Sequence, residues 1–213
     1  MDYIRPWECL LCCQHSGKLG QTQQNCYTLS NSSNRQIVAQ FGQWNALPSS
    51  FQMNPRLKLQ HANYKNMLKD TLDEIQKLPY WSLIGCLLYL SIGTHLYIIY
   101  SIQQFSQYLD CYSYAHWNAA ICVVHYLSGM QHLKLCLSRT NQISLLGFTN
   151  LDWANCLNMR GSVGGHTYSL GSGVMSWQAR KQKTVAASSC KAEYTATFEA
   201  CKRHLVTHAA QQH

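Results

Sequence analysis

The segment from Leu78 to Leu109 contains no formally charged residue, and it constrains the fold of this 213-residue chain more than any other feature. A stretch of this kind is typical of a membrane-spanning helix or of helices buried in a protein core. Gly93, Thr94 and His95 interrupt the segment, and its second half has apolar residues at helical spacing on one side: Ile98, Ile102, Phe105 and Leu109. We therefore predict buried helices and no membrane contact, with a transmembrane helix as the alternative.

A second apolar helix is predicted to follow a turn at Asp110 to Ser113 and to end at Gly129, so that the two form a helical hairpin. Upstream, the region 35–60 begins with a short amphipathic helix and continues into a proline-broken connection, and Asp70 to Lys77 form a helical turn. Residues 1–34 include a tract rich in Gln, Asn and Ser with little hydrophobic period. We predict an unstructured tail over 1–34 and a mostly helical region over 35–138.

The hydrophobic period changes between about residues 130 and 142, which predicts a boundary and a second region over 139–213. Leu133 to Leu137 alternate with polar residues, and short apolar runs at 143–149, 167–170 and 174–178 are typical of strands, the last two joined by a glycine turn at 171–173. Ser188 and Ser189 are suitable caps for a helix that starts near Cys190. The fold class is therefore α+β: a helical hairpin region, then a three-stranded antiparallel sheet and one helix.

Carboxylates are scarce, with nine acidic residues against 17 Lys and Arg and a net charge of +8. Enzymes that hold divalent metal ions need clustered acids, so the composition disfavours many metal-dependent hydrolases and polymerases. The eleven cysteines are an odd number, and no secretory signal is recognisable at the N-terminus. We therefore expect free thiols in a reducing, intracellular compartment.

Three motifs in the second region resemble the ribonuclease H segment of copia-type LTR retrotransposon Pol polyproteins: Gly147 to Ala154, Arg160 to Gly171 and Ser176 to Tyr194. Three upstream motifs are similar to the stretch between the reverse transcriptase palm and ribonuclease H in the same family: Tyr80 to Thr94, Phe105 to Leu109 and His116 to Gly129. The resemblance implies the C-terminal and connection part of a reverse transcriptase, followed by an α/β ribonuclease H-like half-domain.

The family activity implied by this resemblance is hydrolysis of the RNA strand of an RNA/DNA hybrid, with Mg²⁺ as cofactor at a two-metal site. Glu193 in the Ala-Glu-Tyr motif matches the helix carboxylate of that site, and the first-strand aspartate falls on Asn150, which is neutral. The remaining acids of the family site lie beyond the first helix, where this chain has ended. The adjacent Asp pair of a polymerase palm is also missing from the sequence.

Asp152 is a candidate substitute for the missing aspartate, with a turn residue as the competing interpretation. It lies two positions after Asn150, which places it on the same strand face but ~6.6 Å further along, too far for a one-for-one exchange of a metal ligand. Further departures from the family pattern include Cys122, His125 and Lys191. We therefore predict a truncated, degenerate copy that is catalytically inactive and that does not bind Mg²⁺.

A basic run beside an aromatic residue is the candidate nucleic-acid contact: Trp177, Arg180, Lys181 and Lys183. A solvated hairpin edge explains the same residues, and both interpretations stay open. The leading prediction is a retrotransposon-derived Pol fragment, cytoplasmic or nuclear, with an RNA/DNA hybrid and intact Pol copies as partners. The alternatives are a non-catalytic nucleic-acid-binding protein and residual ribonuclease H activity in trans.

Overall fold

A computed structural model describes residues 31–54, 57–130, 144–153, 161–171 and 173–209. The first part of the described chain is helical. Its helices are α1 (Asn31–Gln40), α2 (Lys69–Lys77), α3 (Tyr80–Gly93), α4 (Ile99–Phe105) and α5 (Tyr114–Gly129), with short 3-10 turns at Tyr64–Asn66, Leu96–Ile98 and Ser106–Tyr108. The second part contains β1 (Leu145–Asp152), β2 (Val163–Leu170), β3 (Gly173–Lys181) and α6 (Ser189–Ala209). This arrangement confirms the predicted α+β class.

The uncharged segment folds as two helices because α3 ends at Gly93 and the chain turns at Thr94 and His95 before α4 begins. The backbone N–H groups of Thr94 and His95 both donate to Leu90 O at 3.0 Å, which closes the last turn of α3. Three members of the predicted apolar stripe are fully buried: Ile98, Ile102 and Phe105. Among the helices within the described ranges, none has the combined length and apolarity needed to cross a bilayer.

The helical part has its own hydrophobic core, built from the inner faces of α1 to α5. Tyr80 is fully buried at the start of α3, its ring stacks on Tyr112 with 4.7 Å between centroids, and its hydroxyl donates to Phe105 O at 3.0 Å. On the other side, α1 and the residues after it contact α5: His125 Nε2 lies 2.8 Å from Gln43 Oε1, and Ser49 N donates to His125 O. These contacts join the proline-broken connection to the hairpin.

The sheet is antiparallel in the order β1-β2-β3. Leu170 pairs with Gly173, and Gly171 has a φ of +59°, a left-handed conformation that glycine adopts without a Cβ clash. The predicted glycine hairpin is therefore confirmed. β1 pairs with β2 along its whole length, from Leu145 opposite Leu170 to Asp152 opposite Val163.

Helix α6 packs on the sheet through small residues: Ala192, Ala196 and Ala200 are buried at every fourth position. The Ser188 hydroxyl accepts from the Lys191 backbone N–H at 3.2 Å, which confirms the predicted cap. The Tyr168 hydroxyl on β2 donates to Ala200 O. A Cβ added to Gly164 would lie 3.3 Å from Ala196 Cβ, so small residues on both surfaces allow this close approach.

The structure differs from the sequence-based predictions at the start of the described chain. Residues 31–34 of the predicted tail are helical, as part of α1. Ile37 and Val38 are buried as an amphipathic helix requires, whereas Trp44 lies beyond the helix with 67% of its surface exposed. The remainder of the predicted tail, the alternating Leu133 to Leu137 and most of the predicted boundary region lie outside the described residues.

Two histidines in the helical part are buried in the neutral form. His116 Nδ1 accepts from the Ser113 backbone N–H at 3.1 Å, completing a capping box at the start of α5. His95 lies between the side chains of Asn34 and Thr94, at 3.0 Å and 2.6 Å. Burial lowers the pKa of each imidazole from 6.5 to about 4, with His61 adding a smaller effect on His116.

These shifted pKa values predict that the protein is less stable in acid. Between about pH 6.5 and pH 4 the unfolded chain binds protons at both histidines and the folded chain does not. The free energy of unfolding should therefore fall as the pH is lowered through this window, by up to about 1.4 kcal/mol per pH unit for each histidine. Urea unfolding followed by circular dichroism at a series of pH values measures it. The slope should flatten in a variant carrying His95→Gln and His116→Gln, and a flat wild-type curve would contradict the assignment.

Candidate functional site

The two candidate carboxylate positions on β1 lie on the sheet face that is turned away from α6. Side chains alternate along a strand, and Leu151 between them is on the α6 side, because its Cδ1 would be 3.9 Å from a Cβ on Gly164. Asn150 and Asp152 therefore share the opposite face, where the Tyr100 hydroxyl of α4 donates a short hydrogen bond to Asp152 Oδ2. Asp152 is thus held by the helical part of the chain.

Glu193 lies in the other layer of the structure. It is exposed on α6, and because this helix starts at Ser189 its first turn contains no acidic residue. Within the described ranges, no three His, Cys, Asp or Glu side chains lie close enough together to hold a metal ion. Mg²⁺ requires several oxygen ligands at about 2.0–2.1 Å. An amide at Asn150, a carboxylate that accepts from Tyr100 and a glutamate on α6 do not fit that requirement.

The predicted basic run is divided between two faces of the sheet. Trp177 and Lys181 point toward the helical part: the Trp177 indole N–H donates to Ser91 O at 2.7 Å, and Lys181 Nζ donates to Gln107 Oε1 at 3.0 Å. Arg180 is exposed, and it and Lys183, just beyond the strand, border a cleft beside α6. The structure therefore does not bring the four residues together on one surface.

This cleft between β3 and α6 has a volume of about 370 Å³ and is rich in basic side chains. Five cationic residues and one acidic residue line it: Arg180, Lys181, Lys183, Lys202, Arg203 and Glu199. Of these, Lys181 borders the cleft while its Nζ donates to Gln107 of the helical part. Gly164, Gly165 and Ala196 form part of its wall. Thr184 and Thr195 also line the cleft; the Thr195 hydroxyl donates to Lys191 O within α6 at 2.9 Å, and the Thr184 hydroxyl can donate to a ligand.

His166 lies in the same cleft, partly buried on β2 with its ring centroid 5.4 Å from that of Tyr168. Burial lowers its pKa, and the positive charge of Arg203 lowers it further, while Glu199 acts in the opposite direction. Burial is therefore the main reason why this imidazole favours its neutral form.

Four titratable residues of the cleft are absent from the sequence-based candidates: His166, Glu199, Lys202 and Arg203. The helical period of α6 contains a signal for Lys202 and Arg203. Ala192, Ala196 and Ala200 define the face that contacts the sheet, and the two cations follow Ala200 by two and three positions. The position of His166 in the cleft can be predicted only from the strand register. That register pairs His166 with Gln178, two positions before Arg180 on β3.

Comparison with known proteins identifies the family of this chain. The chain is 32% identical over 169 residues to the retrovirus-related Pol polyprotein of tobacco transposon TNT 1-94, covering 78% of this chain and 12% of that protein. It is 35% identical over 130 residues to the corresponding polyprotein of the Arabidopsis thaliana transposon RE2, covering 59% of this chain and 9% of that protein. The chain belongs to the family of retrovirus-related Pol polyproteins of transposons, which confirms the resemblance drawn from the motifs.

A shorter relative is matched over most of its length. The secreted RxLR effector protein 161 of Plasmopara viticola is 33% identical over 126 residues, which is 59% of this chain and 89% of that protein. In contrast, this chain spans only about a tenth of the transposon polyproteins. Neither a protein-family model nor a solved structure matches the chain.

The contact between Tyr100 and Asp152 predicts a measurable loss of stability on Tyr100→Phe. The substitution keeps the ring and removes a hydrogen bond to a partly buried carboxylate, so the free energy of unfolding should fall by about 1–2 kcal/mol. Tyr89→Phe is the matched control, because Tyr89 is 77% exposed and its hydroxyl faces water. Urea denaturation of both variants checks this, and equal effects would show that the contact does not stabilise the fold.

Proposed function

We propose that this Pol-derived chain contains the sheet and helix of a ribonuclease H-type unit but does not hydrolyse RNA. Three consecutive antiparallel strands followed by a helix are the elements that the family resemblance implies at the start of such a unit. The observation that carries the proposal is the separation of the candidate acids: Asn150 and Asp152 are on one face of β1, and Glu193 is on the helix that packs against the other face.

The chemistry of phosphodiester hydrolysis explains why this separation matters. A two-metal site supplies an activated water and stabilises the leaving oxygen, and it is held by clustered carboxylates. An amide at position 150 provides an oxygen without a negative charge, and Asp152 would have to leave Tyr100 before it could act elsewhere. Because even the loss of a supporting partner in a metal site typically costs about 10–100-fold in metal affinity or activity, the loss of a direct ligand is expected to abolish turnover.

A second candidate function is nucleic-acid binding without cleavage, and the basic cleft supports it. The net charge of +8 favours polyanionic partners, and the cleft concentrates cations beside α6. By family resemblance the partner is an RNA/DNA hybrid. Binding of this kind would weaken with salt, because cations on the protein replace counterions on the phosphates.

The test of the leading proposal is a cleavage assay on a hybrid with a labelled RNA strand, in Mg²⁺ and in Mn²⁺. The wild-type chain is expected to give no more cleavage than Glu193→Ala, which removes the inherited carboxylate, because Asn150 supplies no negative charge and Asp152 lies on the sheet face opposite α6. An intact ribonuclease H measured in the same buffer verifies the substrate. Metal-dependent cleavage by the wild type that Glu193→Ala abolishes would overturn the proposal and support residual nuclease activity.

A further inference from the structure

The cleft between β3 and α6 brings several positively charged side chains close together, and these charges repel one another when no anion is bound. Arg180, Lys183 and Lys202 are exposed around it, and each carries a positive charge toward the same small volume. Like charges gathered in one concave site raise its potential and attract anions from solution. Glu199 is the one acidic side chain in the lining and can offset only part of that charge.

The shape of the cleft limits the size of the anion. Its volume of about 370 Å³ is near the lower end of the range of roughly 300–1,000 Å³ for ligand sites. Gly164 and Gly165 contribute only backbone atoms to the wall. A group of this size with several charges matches two or three linked phosphates better than a large flat ligand.

The donors present are those that phosphate oxygens accept from. Arginine offers a planar pair of N–H donors for two oxygens, and lysine offers a mobile point charge. The hydroxyl of Thr184 adds a neutral donor from the loop before α6.

We propose that the cleft between β3 and α6 binds a multivalent phosphate group, held chiefly by Arg180, Lys183 and Lys202. A nucleic-acid backbone and a free oligophosphate are two sources of the same chemistry. The site differs from the predicted run of basic residues, because Trp177 and Lys181 of that run bond to the helical part. The proposal extends the second candidate function, but it is tested without any nucleic acid and so can fail separately from it.

The experiment measures binding of sodium tripolyphosphate to the full chain by calorimetry at low ionic strength. Arg180→Gln and Lys202→Gln should each weaken the affinity about tenfold, because each removes a charge-assisted hydrogen bond. Lys77→Gln is the matched control, since Lys77 is an exposed lysine in the last turn of α2 and its loss changes the net charge by the same amount. The control should weaken the affinity less than about twofold, because salt screens distant charges.

Glu199→Gln provides the opposite change in the same cleft. Removing the acidic side chain should tighten tripolyphosphate binding by about threefold or more, a gain that partial unfolding would not produce. Thermal unfolding of each variant verifies that the fold is retained. Absence of binding by the wild type, or equal weakening by Arg180→Gln, Lys202→Gln and Lys77→Gln, would overturn the proposal.

A competition arm distinguishes the two sources of phosphate. A labelled single-stranded oligonucleotide is bound to the chain and then titrated with tripolyphosphate. Displacement that requires Arg180 and Lys202 would assign the cleft to a nucleic-acid backbone. Tripolyphosphate binding without displacement would assign it to a free oligophosphate, and either result supports a phosphate site.

Discussion

The alternation of side chains along a β-strand is the constraint on which the rest of this structure depends. The sheet has α6 on one face and the helical part on the other. Successive side chains on β1 and β3 therefore point alternately to the α6 side and to the opposite side. On β3, Trp177 and Lys181 reach Ser91 and Gln107 of the helical part, and Arg180 borders the cleft beside α6. Shifting β3 by one residue would exchange these roles.

The same alternation separates the candidate acids. In this member of the Pol polyprotein family, Glu193 lies on α6, Asp152 contacts α4 and position 150 is an amide. A carboxylate that accepts from a tyrosine in another layer helps to join the layers. We therefore interpret Asp152 as a residue that stabilises the docking of the sheet on the helices.

Much of the architecture could be predicted from the sequence because periodicity and capping are local signals. The glycines at 171 and 173, Ser188 before α6 and the stripe from Ile98 to Phe105 each indicate an element by themselves. The assembly of the site could not be predicted in the same way. Lys181 and Arg180 are adjacent in sequence, and only the three-dimensional arrangement shows that the Lys181 amine is hydrogen-bonded to Gln107 whereas the Arg180 side chain is exposed at the cleft. The Tyr100–Asp152 contact joins residues that are 52 positions apart, for which no local pattern exists.

Lysine acylation rates measured by mass spectrometry test this division of β3 most directly. Lys183 is exposed, whereas Lys181 is partly buried and donates to Gln107 Oε1. The account predicts that in the folded chain Lys183 is modified several-fold faster than Lys181, and that the difference disappears in urea. Equal rates in the folded chain would show that both lysines face solvent and would contradict the assignment of the two sheet faces.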